Sequence, residues 1–201
     1  MVGMLDLDPA AREVIRLLDG VAADHLTGPT PCAGTSVAAL LDHLMGLSLA
    51  FTWAARKAPP AQGGDSGPGR PTAAHLDPEW RTVLPRRLGE LVEAWRDPAA
   101  WDGATEAGGV RMPAERMGVV ALDELVLHGW DLARATGQPF QCDSASTAAV
   151  LAFTTDSARP ENLANREGLF GSVVDVPEDA PAFDRALGFA GRDPAWIPKS
   201  T

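Results

Sequence analysis

Glu124 and His128 stand four residues apart in a segment where Met117, then Val120 or Ala121, then Glu124, His128 and Asp131 follow at three- and four-residue steps. Such steps place side chains on one face of a helix. The face is an apolar stripe interrupted by three polar groups. Leu122, Leu125 and Ala133 make the opposite side apolar as well, which predicts a helix buried nearly all round, with Glu124 and His128 desolvated. An unpaired carboxylate in that setting is strongly disfavoured unless a counter-charge or a metal faces it.

His43 falls between Leu40, Leu44 and Leu47, on the inward stripe of another apolar run. A carboxylate and an imidazole one turn apart, facing an imidazole from a neighbouring helix, form a donor set for one divalent metal. Zinc suits it first, with nickel or iron as alternatives. Three protein ligands leave room for water or substrate. The competing reading keeps Glu124 and His128 as a buried hydrogen-bonded pair without metal.

Around this trio, Asp131 is either an acceptor that orients the His128 ring or the partner of Arg134 near the helix end. Trp130 reads as a core aromatic, with a place in a pocket wall as the alternative, and Arg134 is the remaining pocket candidate. Spacing assigns no catalytic residue. Cys32 precedes the helix bearing His43, where a helix N-terminus could lower a thiol pKa, although a packed, inert thiol is the simpler reading. His25 and His75 lack the inward pattern and read as surface residues. Arg159, Asn162, Asn165 and Arg166 form a polar run suited either to an anionic substrate or to a solvated connection.

The elements that must position these groups are legible from periodicity and punctuation. Asp8-Pro9 reads as an N-cap and first turn, followed by Ala11, Val14, Ile15, Leu18 and Val21 at helical spacing. After the Gly28 to Gly34 turn, Thr35 or Ser36 caps a run from Val37 to about Ala55. Ala58 to about Gly69, including Gly63-Gly64, reads as an exposed loop, either a lid or a linker. Trp80, Leu84, Leu88, Leu91 and Trp95 predict a third helix, with Pro85 marking a kink or the true start. A short hairpin is expected about Gly108-Gly109. Pro113 opens the helix bearing Glu124 and His128, and Gly137 suits its left-handed stop. A fifth helix starts near Asp143 or Ser144, and beyond Pro160 turns alternate with short apolar pieces.

Together these predict an all-α, up-down four-helix bundle with an additional C-terminal helix and an irregular tail. Residues 1–201 are expected to form one domain, with the tail from about 160 packed on the bundle. A hydrophobic content of 45% supplies the core. The formal net charge of -10, without a basic block, argues against nucleic acid or an anionic membrane surface as partner. A small molecule, a protein or a second copy of the chain in a homodimer remains. The polar start and only two cysteines, Cys32 and Cys142, predict a cytoplasmic protein with free thiols.

The run from Leu125 through His128-Gly129-Trp130-Asp131-Leu132-Ala133-Arg134-Ala135-Thr136-Gly137 resembles one family. So do Thr30-Pro31-Cys32 ahead of Leu40-Leu41-Asp42-His43 and the closing Gly191-Arg192-Asp193-Pro194-Ala195-Trp196. They resemble the actinobacterial metal-binding proteins related to the N-terminal domain of mycothiol-dependent maleylpyruvate isomerase, a DinB-like branch. The resemblance implies a four-helix bundle holding one divalent metal at the positions of His43, Glu124 and His128. It also implies mycothiol, or a similar small thiol, as cosubstrate, activated by the metal to attack an electrophile. Thr35 stands near a place where members often carry tryptophan. The isomerase's further C-terminal domain finds no room here, so isomerase activity is not expected. The resulting expectation is a metal-dependent thiol S-transferase or related hydrolase, with a non-catalytic metal-binding or ligand-sensing bundle as the alternative.

Overall fold

The computed structural model describes residues 4–58, 72–166 and 169–198. The expected loop from Ala58 to Gly69 lies outside them beyond Ala58, as does the side chain of Asn165.

Helix α1 spans Asp8–Leu18, α2 Val37–Arg56, α3 Trp80–Trp95 and α4 Ala114–Ala135. Each boundary has a local cause. The Ser36 side chain accepts a hydrogen bond from the Ala39 amide at 3.3 Å and caps α2. Proline tolerates the entry to α4 because the first helical amides have no intrahelical acceptor. Gly137, with φ at 67°, ends that helix in the left-handed region. At α1 the expected cap is displaced: Leu7 holds the N-cap position and Asp8 lies inside the first turn, where its charge meets the helix dipole. Helix α3 starts at Trp80 and continues past Pro85, so the proline is not its start.

Helix α1 packs against α3 and α4, and α2 packs against the same two. Leu40, Leu44, Leu84, Leu88, Leu91, Leu122 and Leu127 are fully buried among them. Each such side chain contributes about 1.5–3 kcal/mol by leaving water. Trp95 donates from its indole to the Phe51 carbonyl at 3.1 Å, which pins α3 to α2. Helix α2 is the one described helix long and apolar enough to cross a membrane, and 72% of its apolar window is buried inside the fold. Its hydropathy is that of a core helix.

The all-α expectation needs correction, because strands β1 (Ala104–Ala107) and β2 (Val110–Pro113) form an antiparallel hairpin pairing Ala104 with Pro113 and Ala107 with Val110. Gly108 and Gly109, at φ 58° and 79°, supply its turn, as the glycine pair suggested. The Thr105 hydroxyl donates to the Ala54 carbonyl at 2.6 Å and ties the hairpin to α2.

Helix α5 (Ser144–Ser157) is capped by Asp143, whose carboxylate accepts from the Ala145 and Ser146 amides. The four-residue α6 (Leu163–Arg166) follows. Helix α7 (Ala182–Phe189) was not expected; it packs on α5, and Ala186 and Leu187 join the core. The tail is therefore partly helical rather than irregular.

Candidate metal centre

Helices α2 and α4 bring His43, Glu124 and His128 together. One ligand atom from each lies within 4.8 Å of the other two. Glu124 Oε2 is 2.9 Å from His128 Nε2 and 3.5 Å from His43 Nε2. Ligand bonds of about 2.0–2.2 Å in a tetrahedral shell put neighbouring donor atoms about 3.4 Å apart, so the spacing fits one small divalent cation. The two imidazole rings meet edge to face, with centroids 4.9 Å apart.

Burial within the trio is uneven. His128 is buried, whereas the side chains of Glu124 and His43 keep 20% and 22% of their surface exposed. Glu124 is thus desolvated only in part: the site sits at the edge of the core, with one side toward solvent. His43 also lines a cavity of about 290 Å³ with Asp42, Met45, Gly46, His75, Asp77 and Arg87. His75 is exposed as expected, yet it shares this cavity with His43.

The electrostatics centre on His128. Its Nδ1 lies 3.0 Å from Asp131 Oδ2 and its Nε2 faces Glu124. Burial favours the neutral ring, but hydrogen bonds to Asp131 and Glu124 outweigh it and push the pKa up to about 10. For Glu124, burial acts upward, and hydrogen bonds from His128 and His43 outweigh it, holding the carboxyl far below the usual range. Asp131, fully buried, is likewise held low, its desolvation outweighed by Arg192 and His128.

Asp131 therefore meets His128 rather than Arg134. Arg134 donates to the Trp196 carbonyl at 3.0 Å and clasps the tail. Trp130 is buried in the core cluster, with the Arg134 guanidinium 5.9 Å from its ring centre. Cys32 is half-buried and accepts a hydrogen bond from the Thr35 hydroxyl at 3.6 Å. His25 Nδ1 accepts from the Ala22 amide at 3.1 Å, and the residue is not part of the trio.

The polar run after α5 does not converge. Arg159 pairs with Asp156 at 3.3 Å, Asn162 donates to the Asp156 carbonyl, and Arg166 is buried against the carbonyls of Gly171 and Phe189.

Two groups escaped the sequence reading. Arg192, 6% exposed, reaches Asp131 Oδ2 at 2.9 Å. Its signal was the closing Gly-Arg-Asp-Pro-Ala-Trp motif, which carried a resemblance but no position. Asp123 is 2% exposed, and its Oδ1 has no partner among the described residues. Burial first, then the neighbouring Glu124, pushes its carboxyl well above the usual range. A carboxylate beside Glu124 on a helix apolar all round was its available signal.

Comparison with known proteins matches residues 7–133 to the mycothiol maleylpyruvate isomerase N-terminal domain. Two uncharacterized proteins of Mycobacterium tuberculosis, from different strains, are each 27% identical over 181 residues, covering 88% of this chain and 90% of theirs. The crystal structure of the mycothiol-dependent maleylpyruvate isomerase superposes with a TM-score of 0.60 at 15% identity, over 95% of this chain and 79% of that one. The structure of a point mutant of that isomerase gives 0.59. At this identity the likeness shows the fold.

Proposed function

The chain belongs to the mycothiol maleylpyruvate isomerase N-terminal domain family, and on that premise we propose that it binds one divalent metal, zinc in first place, through His43, Glu124 and His128. The observation that carries this is the convergence of three donor atoms from two helices within 4.8 Å. Its fit is supported by the third partner, Asp131, which occupies Nδ1 of His128 and so leaves Nε2 to face the site. His43 has no such partner; its Nδ1 is buried and unpaired among the described residues.

The reaction proposed is that of a metal-dependent thiol S-transferase, with mycothiol or a similar small thiol as cosubstrate, or of a related hydrolase. When bound, the metal supplies Lewis acidity that lets a thiol or a water ionise near neutral pH. His128 and Glu124 fix the inner side of the site, and His43 faces the cavity through which a small molecule would approach. The chain is taken as one domain, supported by a core cluster that runs from Leu7 to Ala190.

Elemental analysis of metal-reloaded wild type, His43→Ala and His128→Ala tests the first part. About one zinc per chain, lost in both variants, is expected. Wild type without tightly held metal removes the reading. Cobalt-substituted protein then tests the second part: mycothiol is expected to add a thiolate-to-metal absorption band, and its absence sinks the thiol-transfer proposal while leaving metal binding intact.

A further inference from the structure

Arg192 is among the most buried charges in the protein, 6% exposed, and it comes from the far end of the chain. Its Nη2 donates to Asp131 Oδ2 at 2.9 Å and its Nε to Oδ1 at 3.4 Å, so the guanidinium forks onto both oxygens of one carboxylate. That carboxylate has no exposed surface, and the Oδ2 contacting Arg192 is the atom 3.0 Å from His128 Nδ1. Arg192 is itself held by its own segment. Its Nη1 donates to the Ala190 carbonyl at 3.0 Å and its amide to the Leu187 carbonyl at 2.8 Å. Gly191 precedes it at φ 80°, where a Cβ would collide with the Gly171 backbone. One turn further along α4, Arg134 holds Trp196, four residues beyond Arg192.

A continuous chain of contacts thus joins the C-terminal segment to the ring that faces the metal site: Arg192 to Asp131, Asp131 to His128. Asp131 alone has rotational freedom about its side-chain bonds; the fork from Arg192 removes it and fixes the direction in which His128 Nε2 points. We propose that Arg192 is a positioning residue for the metal site, so that docking of residues 191–196 onto α4 and metal binding by His43, Glu124 and His128 strengthen each other. This rests on the metal-binding reading above. Such coupling is reciprocal: whatever factor tail docking contributes to metal affinity, the metal returns to tail docking.

The test pairs zinc affinity, by chelator competition, with amide hydrogen exchange of the segment containing Arg192. Arg192→Met is expected to weaken zinc binding about 10- to 100-fold, the range for groups that orient a ligand. Arg134→Met, which releases Trp196 but leaves Asp131 paired, is expected to weaken it far less. In wild type, zinc is expected to slow exchange of the Arg192 amide, and in Arg192→Met that slowing is lost.

Equal affinity losses in the two arginine variants would mean that the Asp131 link carries nothing of its own, which overturns Arg192 as the positioning residue. So does unchanged Arg192 amide exchange in zinc-loaded wild type, a readout that stands even if Arg192→Met fails to fold. Wild type that binds no zinc removes the metal reading itself, a different outcome from zinc bound without coupling.

Discussion

His128 Nε2 lies 2.9 Å from Glu124 Oε2 while the other nitrogen of the ring is already engaged by Asp131 at 3.0 Å. A neutral imidazole has one N–H and can donate to only one carboxylate. Between two acceptors it takes up a second proton, and the pKa pushed up to about 10 expresses that demand. A divalent cation at Nε2 satisfies Glu124 equally well. Proton and metal therefore compete for one position.

Metal uptake near pH 7 is expected to release at least one proton, and zinc affinity to rise by up to about tenfold per pH unit below the His128 pKa. Calorimetric titrations in buffers of different ionisation enthalpy measure the release directly. Zinc binding with no proton release would contradict the geometry of the two carboxylates about the ring.

The metal-free protein should lose stability on the alkaline side. The folded-state pKa of His128 is raised to about 10, from an unfolded value of about 6.5. Its contribution is fully present below about pH 6.5 and is lost as pH rises through about 10. Glu124 and Asp131 are shifted down, so their contributions are present above about pH 4 and vanish as pH falls through their folded values. Melting temperature in chelator is expected to fall from pH 7 to 10, whereas zinc-loaded protein holds its Tm because the metal replaces the proton. Parallel curves with and without zinc would sink this account.

Asp131→Asn tests the buried pair. The amide oxygen still accepts from one partner, but Arg192 is left as a buried, uncompensated cation, which costs about 3–5 kcal/mol. Chemical denaturation should show that loss, and Arg192→Met introduced into the same chain is expected to recover part of it, since both charges then leave together. Strictly additive losses in the double variant would show that the two side chains do not interact as the 2.9 Å contact requires.

What the sequence revealed and what it hid divide along the range of the interactions. Ser36, Pro113, Gly137 and Asp143 act on backbone groups within a few residues, so the boundaries of α2, α4 and α5 could be read from them. His43, Glu124 and His128 were legible because they interrupt apolar stripes, and a stripe says which way a side chain points. Helix α7 was hidden by its eight residues and by the Pro, Asp and Glu around it, although Phe183, Ala186 and Leu187 keep helical spacing. Arg192 meets Asp131 across 61 residues, a pairing that depends on the path of the whole tail. His75 reaches the His43 cavity from the single 3-10 turn Ala73–His75, which is too short to show a repeat pattern.

A pair of glycines separates helix propensity from packing, and the second bears on the site. Gly89 is exposed in α3, and a Cβ there would meet nothing within 4 Å. Gly89→Ala is expected to stabilise the protein by about 0.4–1 kcal/mol, because alanine loses less backbone freedom on folding. Gly118 lies in α4, where a Cβ would run into the Trp101 ring and sit 3.0 Å from Trp95. Both indoles are held, Trp95 by the Phe51 carbonyl and Trp101 by the Trp95 carbonyl, so neither yields freely. Gly118→Ala should cost about 1–3 kcal/mol. The strain also pushes α4 away from the elements that orient it toward α2, so the distance from Glu124 to His43, 3.5 Å in the native arrangement, should increase. Zinc affinity is therefore expected to fall in Gly118→Ala and to stay unchanged in Gly89→Ala. A Gly118→Ala protein that is destabilised yet binds zinc with wild-type affinity would show that the trio is positioned independently of this contact.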